Sequence, residues 1–255
     1  MPAKTSATSR ISVSPTGAKA RAIAATEPVF ARLKNGRTKN PLAPERVAAI
    51  LDGLKKAYPK AVCALNHRNA WELMVATILS AQCTDVRVNL VTPALFAAFP
   101  TPKAMAAASL PELEELIRTT GFFRNKAKSI QGAGRVVMEE FCGKVPQTME
   151  ELLRIPGVAR KTANVVLGSW FGIAVGVVVD THVLRISRRL ELTKETAPEK
   201  VEQDLMKVIP QASWIDFSHE VIFHGRQICV ARKPRCADCT LERVCNAEDK
   251  TWSSR

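Results

Sequence analysis

From Pro41 onward, apolar residues recur at intervals of three and four, and this period constrains the fold more than any other feature. "VAAILDGLKKAY", "AWELMVATILSAQ", "LPELEELIRTTG" and "KVEQDLMKVI" carry the pattern, which lines apolar side chains along one stripe of an α-helix. The breaks between segments read "FPTP", "TTGFF" and "IPGV", stretches that end or redirect a helix. Two helix starts are marked. Ser109 stands three residues before Glu112 and Thr148 three before Glu151, a spacing at which hydroxyl and carboxylate can each satisfy a free backbone N–H. One β-branched run, "IAVGVVVD", has no alternating partner with which to form a sheet, so it is expected as a buried extended connection. The expected fold class is all-α, with no internal repeat.

The charge balance speaks to partners. Lys and Arg outnumber Asp and Glu by 37 to 24, a formal charge of +13, which makes a polyanion the expected counter-surface and an anionic membrane the second choice. No apolar run reaches the roughly 18 residues that span a bilayer, and the N-terminus has no apolar signal-peptide core. With 46% apolar residues, the chain can bury one sizeable core or two modest ones. Residues 1–40 stand apart: eight Lys and Arg against the single acid Glu27, with many Ser, Thr and Ala. They are expected as a disordered basic tail. Its readings are a solvated extension, a weak DNA-holding arm, or an organellar targeting segment.

Seven cysteines without an export signal suggest a reducing compartment, where clustered thiols more often bind metal than form disulfides. Cys63, Cys83 and Cys142 are scattered and read as buried small hydrophobes. Cys229, Cys236, Cys239 and Cys245 are clustered in "CVARKPRCADCTLERVC". Zinc ribbons normally use two short Cys-x-x-Cys knuckles, whereas this stretch has one, Cys236–Cys239. A compact four-ligand loop suits an iron–sulfur cluster as well, so spacing leaves the two metals open.

"ELLRIPGVARKTANVVLGSWFG", residues 151–172, reads as helix, tight turn, helix. Leu152, Leu153 and Ile155 form the apolar end of the first helix. Gly157 is free to take a positive φ and bring the backbone close to a ligand. The second helix begins near Arg160 and buries Ala163, Val166 and Leu167. Free N–H groups at its start can hold a phosphate by main chain alone, without regard to base sequence. An ordinary αα-hairpin is the plainer reading.

"IPGVARKTANVV" resembles the hairpin of the helix-hairpin-helix DNA glycosylase superfamily. "VVVDTHVLRISRRL" matches that family's Val-Asp-Thr-His, with Asp180 nineteen positions after Lys161. "LSAQCTD" and "HGRQICVARKPRC" match further family segments. Over residues 42–250 the chain is similar to the endonuclease III family of bifunctional glycosylase/AP lyases. Two departures are visible. Ala159 stands where the family has the second hairpin glycine, which is expected to raise the cost of the turn or weaken a phosphate contact. Cys83 stands where alanine is usual.

The resemblance implies the rest. The fold would comprise a six-helix domain over 63–172 ending in the hairpin, and an iron–sulfur domain from 41–62 plus 173–255. A DNA-binding cleft would lie between them. Cys229, Cys236, Cys239 and Cys245 would ligate a [4Fe–4S] cluster and clamp a DNA-contacting loop bearing Arg232, Lys233 and Arg235. Lys161 would be the nucleophile. Asp180 would assist its deprotonation and stabilise the cationic sugar. Gln82 would fill the gap left by a flipped nucleotide, with Phe122 as a wedge unless it tucks into the core. Gly157 and Ala159 would meet phosphate, and His182 would be structural or contact phosphate. The expected partner is double-stranded DNA carrying oxidised pyrimidines or abasic sites, bound by a monomer in the bacterial cytoplasm at the nucleoid, with organellar or nuclear targeting by the tail left open. The rival readings are a thymine- or adenine-mismatch glycosylase of the same superfamily and a non-catalytic DNA-binding module.

Overall fold

The structure, a computed structural model, describes residues 39–252; the basic N-terminal segment falls almost wholly outside them. Eleven α-helices and no strand occur among the described residues. Helix α1 (Pro44–Ala57) precedes a run of seven: α2 (Ala70–Leu79), α3 (Asp85–Ala98), α4 (Pro102–Ala107), α5 (Leu110–Ile117), α6 (Phe123–Phe141), α7 (Met149–Leu152) and α8 (Arg160–Ser169). Then follow α9 (Thr181–Arg189), α10 (Pro198–Val208) and α11 (Trp214–Gln227). Residues 63–172 thus hold seven α-helices against the six expected; α4 and α7 are short enough that the count turns on them.

Local sequence explains the starts. Asn69, Thr84, Thr101, Ser109 and Thr148 each accept a backbone N–H with the side chain, relieving the free donors of a first turn. Ser109 and Glu112 complete both halves of the capping box. Thr148 completes one half: its hydroxyl accepts from Glu151 N and donates to the Glu151 carboxylate.

Two hydrophobic cores result. The first is built from Leu65 to Leu167 around α2, whose ten residues are all buried, as an all-round apolar helix must be. In it α4 lies directly on α6, because a Cβ at Gly134 would fall 2.7 Å from Pro102 O. The second core takes Val47, Ile50 and Leu54 of α1 together with residues from Val177 to Val244. Arg46 ties the start of α1 to this second unit. It is wholly buried and donates to Val244 O at 2.9 Å and Leu190 O at 2.7 Å, and burial pushes its pKa down to about 10. The "IAVGVVVD" run is the link between the cores. Val177 and Val179 are buried in it and no ladder partner exists among the described residues, as expected.

Candidate active site

A pocket of about 100 Å³ opens where the two cores meet. One wall comes from the first unit (Leu65, Thr77, Ser80, Asp85, Lys161), the other from the second (Val178, Asp180, Ser218, His219, Phe223, Arg226). Lys161 and Asp180 therefore face one cavity. Lys161 is the second residue of α8 and its side chain is exposed. Asp180 is half-buried and caps α9, its Oδ1 accepting from His182 N and Val183 N at 2.8 Å each. That leaves Oδ2 of Asp180 for the pocket. Among the described residues no ion pair joins Lys161 to Asp180.

The hairpin before α8 has the expected shape in part. Gly157 has φ +80, and a Cβ there would stand 2.8 Å from Ser129 Cβ, so glycine is required twice over. Ala159 is different. Its φ of −96° and ψ of 172° are ordinary extended values, so alanine adds no backbone strain to the turn, contrary to the expectation from sequence. It caps α8 without a side-chain hydrogen bond, so the first N–H groups of the helix are left to a ligand. The first hairpin helix is the four-residue α7; Leu152 and Ile155 are buried, but Leu153 is exposed.

Three other expected contact residues share an unusual backbone. Gln82, Phe122 and Lys233 have φ of 52°, 48° and 55° and are all exposed. Phe122 is 65% exposed, which excludes the core-packing reading. His182 sits half-buried between α9 and α11, its Nδ1 3.2 Å from Arg185 Nη2, and burial lowers its pKa against the opposing pull of Asp180. This favours the structural side of its two readings. Arg235 is paired with Asp238 at 2.8 Å, so its charge is already partly answered, whereas Arg232 and Lys233 are exposed on the same loop.

Cys229, Cys236, Cys239 and Cys245 line a single pocket with Ile186, Leu190, His224 and Leu241. Burial pushes the Cys239 thiol up to about 12 and raises that of Cys245. No group of three or more His, Cys, Asp or Glu placed to hold a metal ion occurs among the described residues. Arg189, in the last turn of α9, donates to Cys229 Sγ at 3.2 Å, Val230 O at 2.8 Å and Ala231 O at 3.0 Å. Arg185, one turn earlier, donates to Cys229 O and Gly225 O. Sequence reasoning missed this pair as loop anchors. Their signal was the four-residue spacing in "RISRR", which places both on one face of α9. The remaining cysteines divide: Cys63 and Cys83 are half-buried against the first core, but Cys142 is exposed, because it occupies the left-handed residue that ends α6.

Sequence reasoning also passed over Asp85 and Arg226, which form an ion pair of 2.5 Å between α3 and α11 on the pocket wall, and Lys126. That lysine is buried, with Nζ donating to Thr120 O at 2.7 Å beneath the Gly121–Phe122 turn. A lysine in "RNKAKSI" looks like any surface cation, and nothing in its neighbours announces burial.

This fold and its inter-core pocket define a class. Residues 75–211 match the HhH-GPD superfamily of base excision DNA repair proteins. Within it, the chain is 60% identical over 201 residues to endonuclease III of Synechocystis sp., covering 79% of this chain and 92% of that one. It is 39% identical to endonuclease III of Escherichia coli K12, covering 79% and 95%. A trapped endonuclease III–DNA covalent intermediate superposes with a TM-score of 0.76 at 43% identity, over 80% of this chain and 96% of the other. A thermostable thymine-DNA glycosylase shares the fold at 19% identity, with a TM-score of 0.71. The chain belongs to the endonuclease III family.

Proposed function

We propose that this protein is a bifunctional DNA glycosylase and AP lyase that removes oxidised pyrimidines from duplex DNA and then cuts the strand 3′ to the abasic site. The observation that carries the reading is the placement of Lys161 and Asp180 on opposite walls of one pocket, with the amine opening a helix behind the Gly157 turn. A glycosylase must extrude the nucleotide to reach C1′. The space between the amine and the carboxylate, with no ion pair closing it, is where a flipped deoxyribose fits.

The chemistry then follows from an amine nucleophile. The neutral Lys161 Nζ attacks C1′ and the C1′–N bond breaks, its electron pair leaving on the base, which takes up a proton; the attached amine then gives up a proton as the C1′–O4′ bond opens to an O4′ hydroxyl and a Schiff base. The iminium acidifies the 2′ hydrogen, whose removal expels the 3′ phosphate. Asp180 Oδ2 takes the proton from the ammonium and stabilises the positive sugar at close range, where water is scarce. Its Oδ1 is held by two backbone N–H groups, which fixes the carboxylate for this task. Gly157 and the free N–H groups of α8 hold a phosphate, Phe122 wedges the stack open, and Gln82 enters the gap.

The four cysteines fit a [4Fe–4S] cluster in donor type and in their sharing of one pocket. Cys229, Cys236, Cys239 and Cys245 would hold it. When bound, the cluster ties four points of the chain together and so restrains the loop carrying Arg232 and Lys233, which lowers the entropy of presenting those cations to phosphate. We assign residues 63–172 to the hairpin-bearing domain and residues 41–62 plus 173–255, of which 253–255 lie outside the described residues, to the cluster domain. The protein acts as a monomer wherever chromosomal DNA lies. No helix among the described residues is long and apolar enough to cross a membrane.

Borohydride trapping on duplex containing 5,6-dihydrouracil tests the reading. Wild-type protein forms a covalent adduct and Lys161→Ala forms none; undiminished trapping by the variant overturns the assignment.

A further inference from the structure

Lys161 opens a helix of the first core and Asp180 ends a linker into the second, so the gap between them depends on what joins the two units behind the pocket. One buried carboxylate lies there. Glu202, on α10 of the second unit, accepts from Arg160 Nε at 2.7 Å through Oε2. Its Oε1 accepts from Arg160 Nη2 at 3.0 Å and from Asn164 Nδ2 at 2.8 Å. A carboxylate met by a guanidinium at both oxygens is fixed in direction as well as distance. Arg160 immediately precedes Lys161, and Asn164 stands one turn further along the same face of α8. The amide of Asn164 must turn its NH2 toward a group that only accepts, and its own Oδ1 is buried without a hydrogen-bond partner among the described residues. Buried polar atoms are normally paired, so the contact with Glu202 is kept at a cost. The linker passes over the same carboxylate: a Cβ at Gly176 would fall 2.0 Å from Glu202 Oε1 and 2.9 Å from Asn164 Nδ2. From Gly176 the chain runs through buried Val177 and Val179, with Val178 N donating to Ser218 Oγ, and reaches Asp180 four residues on.

We infer that Glu202 is a positioning residue: by gripping α8 through Arg160 and Asn164, with the linker packed on it at Gly176, it sets the gap between Lys161 Nζ and Asp180 Oδ2. Neither Glu202 nor its two partners line the pocket, so the carboxylate acts through the amine and the acid and not on the sugar. The gap matters because bond formation needs the reacting atoms about 3–3.5 Å apart, and an error of about 1 Å can cost about a hundredfold in rate. The inference rests on the assignment of Lys161 and Asp180 to the sugar and adds the device that holds them apart.

Single-turnover nicking of a preformed abasic duplex at saturating protein reads the chemistry. Anisotropy with a tetrahydrofuran-containing duplex, which cannot react, reads binding. Glu202→Gln removes the charge and turns an amide toward two donors. Arg160→Met removes the fork from a side chain that is 45% exposed, which spares the fold should Glu202→Gln fail to form it. Each is expected to lower the single-turnover rate about tenfold or more, while the dissociation constant of Glu202→Gln stays within about twofold of wild type, because a buried carboxylate touches no phosphate. The double variant is expected to lose no more than the worse single one, since both remove one interaction. Arg160→Lys, which keeps a cation within reach of Glu202, recovers part of the rate. Unchanged rates in folded variants make the network a fastening between the cores with no bearing on the chemistry and overturn the inference. Equal losses of rate and affinity in Glu202→Gln overturn it as well, as do losses that multiply in the double variant. Should wild-type protein fail to nick abasic duplex at all, the assignment of Lys161 fails instead, and the two failures are told apart.

Discussion

Replacing Gly157 by Ala tests whether the hairpin is held by backbone geometry. The position has φ +80, and a left-handed conformation costs a residue with a Cβ about 1–2 kcal/mol. The added methyl would also fall 2.8 Å from Ser129 Cβ and 3.2 Å from Ile78 Cγ2, and forcing atoms into a filled site costs about 1–3 kcal/mol. With partial relief through Ser129, the sum is about 2–4 kcal/mol. A chain of this size loses about 2–4 °C of melting temperature per kcal/mol, so Gly157→Ala should melt at least about 4 °C below wild type. Ala159→Gly is the paired control. Its φ of −96° suits either residue, and glycine caps a helix somewhat better than alanine while loosening the unfolded chain, so the net change stays within about 1 kcal/mol. Differential scanning fluorimetry on cluster-loaded protein measures both, and anisotropy with an abasic-analogue duplex reports the phosphate contact. A neutral Gly157→Ala, or an Ala159→Gly that destabilises as much, would refute the reasoning.

Two further substitutions separate roles that the structure distinguishes. Phe122→Ala should leave the melting temperature nearly unchanged, because the ring is 65% exposed, while weakening lesion-duplex binding by about 1–3 kcal/mol, the range of one aromatic–base stack; anisotropy titration checks it. Glu220 is buried on α11, and desolvation, helped by Asp216 on its own helix and opposed by Lys55 of α1, pushes its pKa up from 4.5 to about 7. The folded value lies above the unfolded one, so the stabilisation is whole below pH 4.5 and is lost as pH rises through about 7. Glu220→Gln stays neutral and should exceed wild type by about 2–3 kcal/mol at pH 8, with the gap closing at pH 5 in melts at the two pH values.

Helices, caps and the hairpin turn were legible because each rests on local rules. The apolar period identified α2 and α5, the Ser109 box marked a start to the residue, and the Pro-Gly break preceded α8 at Arg160. The resemblance to known glycosylases then pointed to Lys161 and Asp180. What stayed hidden depends on which side chains meet across the seam. Asp85 and Arg226 are 141 positions apart, and nothing local in either says that they share a wall. Arg46 looked like one of many cations and is wholly buried, because its partners are carbonyls supplied by segments far along the chain. Cys142 read as a small hydrophobe, yet the geometry of a helix end puts it in solvent.

The backbone shows where the fold accepts strain. Five non-glycine residues among those described have positive φ: Gln82, Phe122, Cys142, Glu191 and Lys233. Cys142 and Glu191 stand at the ends of α6 and α9, where a left-handed residue closes the last turn and is repaid by carbonyls it helps satisfy. Gln82 and Lys233 cap no helix, and Phe122 stands at the start of α6 and not at a helix C-terminus. Each is exposed, and each is a residue proposed to meet DNA. A left-handed conformation costs such residues about 1–2 kcal/mol apiece, and it survives only where the surroundings over-determine it. Those surroundings are visible at two of the three. Lys126 holds the Phe122 turn from beneath through Thr120 O and through its own N–H to Phe122 O, and Arg189 holds the Lys233 loop through Val230 O and Ala231 O. A buried lysine and a half-buried arginine thus sit behind two strained turns. The energy that fixes those turns is supplied by the folded protein itself, so the proposed wedge and basic loop would already be ordered on meeting a duplex.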